Sequence, residues 1–185
     1  MGFGSLLYGA GFFVFKNKEE IMKTRNLTLS AIFMALGLVM HFMVPPIFGG
    51  IKPDFLLSMM FISLIISEDI KEAILVGLCG GVMSALTTNF PGGQIPNLVE
   101  KMIVSLVVFY ILKRTGRNLT KLQTVFIFAL GTLISGVTFL TIALGITKQL
   151  NLFIPSMPVV LVAMVVNSIF GLILMNAYSK IQKMI

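Results

Sequence analysis

The stretch Leu122–Ile146, LQTVFIFALGTLISGVTFLTIALGI, carries no charged side chain. A helix needs about 20 apolar residues to cross the hydrocarbon core of a bilayer, and this segment supplies them. Working outward, five more segments read as spans: Leu27–Val44, stopped by Pro45-Pro46; Phe55–Ser67, stopped by Glu68-Asp69; Ala73–Thr88; Leu98–Leu112; and Pro158–Tyr178. The fold class is therefore an all-α membrane protein, a bundle of six transmembrane helices. The second span is short. Thirteen residues rise only about 20 Å, so it either begins earlier or the membrane thins around it. Short segments flanked by Gly and Pro often border substrate sites in transporters.

Composition agrees. Of 185 residues, 57% are apolar and only 11% charged, against about 25% charged in soluble domains; the mean hydropathy is +1.00. The net charge of +7 does not indicate nucleic acid. The basic residues sit in short clusters between apolar runs, with no basic face interleaved with stacking aromatics. With the N-terminus inside, eleven Lys and Arg fall on the inner side and only Lys52 and Lys148 on the outer, Lys101 lying within the fourth span. The positive-inside rule then places both termini in the cytoplasm. Cys79, the single cysteine, reads as a small packing residue; it permits no intrachain disulfide, and one His with one Cys makes no zinc site. No cofactor or metal is expected.

Residues 1–21 stand apart from the single six-helix domain expected over 22–185. Phe3–Phe15 is too short to span and lacks a preceding basic residue, so it is a poor signal peptide. Lys18-Glu19-Glu20 back-translates to a purine-rich sequence like a ribosome-binding site just ahead of Met22, and the native chain is expected to start at Met22.

A weak duplication runs through the first four spans. Gly37-Leu38-Val39-Met40 is followed by Gly49-Gly50-Ile51-Lys52-Pro53-Asp54, and Gly80-Gly81-Val82-Met83 by Gly92-Gly93-Gln94-Ile95-Pro96-Asn97, at a constant offset of 43. Each unit is a helix, an outer Gly-Gly-Pro loop and a helix, and transporters commonly place their site between such repeats. The third hairpin has Pro155 and Pro158 in its loop but no Gly-Gly. Glycine permits close backbone approach and proline fixes the exit direction. Asp54 and Asn97 then occupy N-cap positions, with Glu100 three residues after Asn97 in a capping-box pattern. The second and fourth helices would start together at the outer surface, their positive dipole ends favouring a carboxylate. Capping alone accounts for Asp54 and Asn97 equally well.

Several polar residues lie where burial is costly. Glu100 and Lys101 open an apolar helix. Either they form an interfacial pair with a snorkelling lysine, or they clamp a zwitterion: Glu100 meeting an ammonium, Lys101 or Lys52 a carboxylate, and Asn89, Gln94 and Asn97 adding hydrogen bonds. Asn167, midway along the sixth span, either bonds another helix or contacts a ligand. His41 lies near the outer end of the first helix, and Asn176 reads as structural. Gly77, Gly81 and Ala85 form a small-residue stripe for helix packing; Ala31 and Ala35 form another, for packing or for a second subunit. No zincin, nucleophile-elbow or P-loop motif occurs, so the chain does not read as an enzyme and any ATP-derived energy must come from a partner.

The stretches Ile51–Phe61, IKPDFLLSMMF, and Ala85–Asn97, ALTTNFPGGQIPN, resemble the signature stretches of the bacterial tryptophan transport protein family, and the similarity runs from Met22 to the C-terminus. That family in turn resembles the substrate-binding S components of energy-coupling factor (ECF) transporters. The resemblance implies a multi-pass protein of the bacterial plasma membrane that captures substrate from outside under its outer loops. It would then topple in the bilayer, driven by a partner ATPase module. In S components an A-x-x-x-A motif on the first helix contacts the coupling subunit; Ala31-Ile32-Phe33-Met34-Ala35 matches it. Tryptophan, a zwitterion with a large flat ring, suits the residues: Phe48, Phe55 and Phe90 to wall a slot, Glu100, Lys101, Lys52 and Asp54 to supply charge. An S component for another small nutrient such as a vitamin, or a non-transporting membrane sensor or accessory subunit, are the alternative readings.

Overall fold

The computed structural model describes residues 3–43 and 54–182, with side chains over 23–43 and 54–180. Lys52 and Phe48, together with the Gly49-Gly50 loop, lie outside the described residues. Among the described residues every regular element is helical: α1 (Phe3–Met43), α2 (Phe55–Ile66), α3 (Ile70–Thr87), α4 (Gln94–Thr115), α5 (Lys121–Ile146), a 3-10 turn (Leu150–Leu152) and α6 (Phe153–Gln182). Five of them hold spans long and apolar enough to cross a membrane: Lys23–Met43, α3, α4, α5 and Leu150–Lys180.

The short second helix is explained by where it sits. Residues 56–66 are all buried, and α2 packs against each of the other five α-helices. A helix apolar around its whole circumference is a core helix. Its twelve residues rise about 18 Å, less than the ~30 Å hydrocarbon core, but its wall is protein, not lipid. It does not begin earlier, because Asp54 caps its N-terminus, accepting from Leu57 N at 2.8 Å. Around it pack Val104, Val108 and Leu112 of α4 and Ile127 and Phe128 of α5. The Phe61 and Phe128 rings meet edge to face, 5.2 Å apart.

Consecutive helices pair as hairpins, α1 with α2, α3 with α4 and α5 with α6, so the duplicated units are the first two hairpins. The small-residue stripe on α3 serves the second: a Cβ on Gly77 would lie 2.8 Å from Ser105 Cβ, and one on Gly81 would lie 3.1 Å from Leu98 Cα. Boundaries differ from expectation in three places. Helix α1 runs unbroken from Phe3 to Met43, opening well ahead of the Leu27 expected for the first span. Helix α4 opens at Gln94, with Gly93 as its N-cap; Asn97 is thus inside the first turn rather than the cap, and its Nδ2 donates back to Gly93 O at 2.8 Å. The expected capping box with Glu100 is not formed. Helix α6 opens at Phe153, so neither Pro155 nor Pro158 lies in the preceding loop: Pro155 falls in the first turn, where a missing N–H costs least, whereas Pro158 is inside the helix and removes a backbone bond.

The two ends of the bundle differ in chemistry. At one end Arg25, Glu68, Arg117, Asn118 and Ser179 surround a polar hollow. Arg117 Nε donates to Ser67 O at 2.9 Å, placing a cation at the C-terminus of α2, where unsatisfied carbonyls favour it. The opposite end carries the N-terminus of α2 and the turn between α3 and α4.

Candidate functional site

At that opposite end three ionisable side chains meet. Having capped α2 with one oxygen, Asp54 accepts from Lys101 Nζ with the other, Oδ2, at 2.8 Å. Lys101 also bonds Glu100 Oε1. Neighbours in a helix do not normally face each other; here the long lysine stem carries its ammonium to both carboxylates. Glu100 Oε2 in turn accepts from Ser135 Oγ of α5 at 2.7 Å. Glu100 and Lys101 are each 1% exposed. Charges so placed in a membrane helix are tolerated only when paired, and this chain of bonds ties α2, α4 and α5 together.

The triad borders a cavity of about 400 Å³, within the ~300–1,000 Å³ typical of small-molecule sites. Its partly exposed rim holds His41, Asp54, Phe90 and Asn97. Leu57 of α2, Gly136, Phe139 and Leu140 of α5, and Ser156, Val159, Val160 and Ala163 of α6 line it. Phe90 and Phe139 stand edge to face, 5.5 Å between centroids. Buried Thr132, Ser135, Glu100 and Asn167 complete the wall. The arrangement is an apolar slot with a charged group at one place and a neutral amide at another, suited to a molecule with a polar head and a flat apolar body.

The description "Tryptophan transporter TrpP" belongs to the family whose profile matches residues 23–183. The chain belongs to the TrpP family. A probable tryptophan transport protein of Clostridium acetobutylicum is 35% identical over 169 residues, covering 89% of this chain and 97% of that protein. One from Bacillus subtilis is 38% identical over 125 residues, 66% of this chain and 72% of that protein. A third, from Clostridium perfringens, is 31% identical over 170 residues, 85% and 92% respectively. No solved structure matches. Family membership together with the apolar helices makes this a multi-pass protein of the plasma membrane.

In this TrpP-family chain the residues singled out from sequence separate into groups. Asp54, Asn97, Glu100, Asn167 and His41 line the cavity. Lys101 stands behind Asp54 and Glu100, bonded to both; its ammonium and the Glu100 carboxylate, expected to meet a zwitterion separately, neutralise each other. Asn89 and Gln94 are exposed and away from the lining: Asn89 leads into the Pro91-Gly92 turn and Gln94 opens α4. Phe90 lines the cavity, whereas Phe55 packs its ring on Phe170 at 4.8 Å. Ala31 and Ala35 are exposed on α1 beside exposed Ile32 and Leu36. Asn176 is exposed near the end of α6.

Sequence reasoning passed over Thr132, Ser135 and Phe139 on α5. Hydroxyls in apolar helices usually bond their own turn, as Thr124, Thr141 and Ser168 do here. Ser135 instead donates to Glu100, and Thr132 accepts from Asn167. The available signal was their i, i+3 spacing on one helix face.

Proposed function

We propose that this protein takes up tryptophan across the plasma membrane and holds it in the cavity bounded by α2, α4, α5 and α6. The observation that carries the reading is the Asp54–Lys101–Glu100 triad at the cavity wall, in which two carboxylates share one ammonium. The surplus carboxylate is a receptor for the α-ammonium of an amino acid, and such charged hydrogen bonds are the strong ones. Lys101 neutralises the two carboxylates from behind and does not itself line the cavity, so it does not meet the ligand's carboxylate. Asn97 is the neutral partner at the rim. The indole ring lies against the aliphatic face of α6 at Val160 and Ala163, with the Phe90–Phe139 pair on its rim side. Ring contacts of this kind add about 0.5–1.5 kcal/mol beyond area burial.

Positive-inside orientation puts the basic end, with Arg25, Lys71 and Arg117, in the cytosol, and the cavity then faces outward. In the S-component form of this proposal Ala31 and Ala35 meet a coupling subunit whose ATPases supply the energy. Their exposure on a small-residue face of α1 is what supports it.

The test is thermal stabilisation of the detergent-purified chain by tryptophan, measured beside the other amino acids and a panel of vitamins. A ligand present at 100 times its Kd stabilises by about 2.7 kcal/mol. A rise with tryptophan and not with vitamins is expected; a rise with a vitamin alone overturns the substrate. Uptake in cells lacking other tryptophan routes, with and without a coupling module, tests the energy source.

A further inference from the structure

Asn167 stands midway along α6, 1% exposed, and lines the cavity. Its Nδ2 donates to Thr132 Oγ1 at 3.2 Å, while its Oδ1 is buried with no hydrogen-bond partner. An amide acceptor left unsatisfied in an apolar wall is costly. A simple link between α5 and α6 would not need it, since a serine or threonine could make the same bond. Ala163 and Val160, one and two turns earlier on the same face of α6, also line the cavity and carry no polar group.

A second relationship fixes where this acceptor lies relative to the charged triad. Glu100 is held by Ser135, and Asn167 by Thr132. Residues three apart on a helix are neighbours on one face, about 5–6 Å between Cβ atoms. Helix α5 thus sets the carboxylate and the amide acceptor about one turn apart along one wall of the cavity. In tryptophan the α-ammonium and the ring N–H are separated by about the same reach, on the order of one helical pitch of 5.4 Å, with an apolar body between them.

We infer that Asn167 Oδ1 accepts a hydrogen bond from the ring N–H of the bound ligand and so selects an indole over an aromatic ring without a donor. This rests on the tryptophan reading above and deepens it. The Asp54–Glu100 carboxylates take the amino group common to all amino acids; Asn167 reads the side chain. A ring lacking the donor leaves Oδ1 orphaned after the cavity has closed on it, and that loss is what separates the two ligands. One neutral hydrogen bond with its orphaning penalty corresponds to a preference of about 10- to 100-fold.

The experiment measures equilibrium binding to the detergent-purified full-length chain of two ligands of nearly equal shape, tryptophan and its benzothiophene analogue, in which sulfur replaces the ring N–H. The unaltered chain is expected to prefer tryptophan by about 10- to 100-fold. In Asn167→Leu the preference collapses toward unity, mainly through weaker tryptophan binding; Asn167→Ser, which keeps a small polar group toward Thr132, serves if the leucine variant does not fold. Equal binding of the two ligands by the unaltered chain overturns the assignment of Asn167 while leaving tryptophan as substrate. An undiminished preference in the variants overturns it as well. Failure of the unaltered chain to bind tryptophan at all removes the substrate reading and this inference with it.

Discussion

Lys101 Nζ lies 2.8 Å from Asp54 Oδ2, joining a residue two turns into α4 to the residue that caps α2. The bond links the bundle's central helix to the cavity wall, and Lys101 is 1% exposed where it does so. Removing one partner from a buried charge cluster leaves the others uncompensated, at about 3–5 kcal/mol. Lys101→Met should therefore lower the unfolding free energy by about that amount, because two carboxylates are left facing each other. Asp54→Asn should cost much less, since asparagine caps a helix as well as aspartate does. Thermal unfolding of the two variants in detergent checks this ordering; equal losses would contradict it.

Glu100→Gln keeps the shape and the contact to Ser135 but removes the surplus negative charge. Membrane insertion and expression should be unchanged. Tryptophan affinity should fall by about tenfold or more, the ~1.5–3 kcal/mol of a hydrogen bond to a charged group. Titration calorimetry on purified protein reads it directly, and an unaltered Kd would take Glu100 out of the ligand's reach.

Gly81 sits where α3 lies against Leu98, with 3.1 Å from an added Cβ to the Leu98 Cα and carbonyl oxygen. Backbone atoms cannot swing aside as a side chain can. Gly81→Leu should separate α3 from α4 and cost about 1–3 kcal/mol by overpacking, seen as a lower melting temperature. Leu86→Ala, at an exposed position on the same helix, is the control and should leave the melting temperature within error.

The long spans were legible because an uncharged run such as Leu122–Ile146 has one stable fate in a bilayer. What hydropathy cannot distinguish is lipid from protein as the apolar surroundings. For that reason the enclosure of α2 by five other helices was not visible, only its shortness. The start of α4 was misplaced because Asn97 has the right side chain for a cap, yet Gly93 takes that position and Asn97 bonds back to it. Glu100 and Lys101 stood out because charge in an apolar run is rare, and Asp54 because it closes the repeated Gly-Gly-Pro loop where a helix cap belongs. Ser135 and Thr132 did not, because their i, i+3 spacing puts them on one face of α5 but does not tell a hydroxyl that bonds its own helix from one that reaches across to another.

Orientation decides whether the cavity meets medium or cytosol, and two exposed positions report on it from opposite ends. Gln94 opens α4 beside the cavity rim; Asn118 follows α4 at the basic end. The native Cys79 is itself exposed on α3, so it is first replaced by serine. A membrane-impermeant maleimide should then label Gln94→Cys in intact cells and Asn118→Cys only after permeabilisation. That pattern follows from eleven Lys and Arg against two in the inner and outer segments, a bias that translocation seldom overrides in loops this short. The reverse pattern would turn the Asp54–Lys101–Glu100 triad toward the cytosol, and a cavity filled from that side would favour export over uptake.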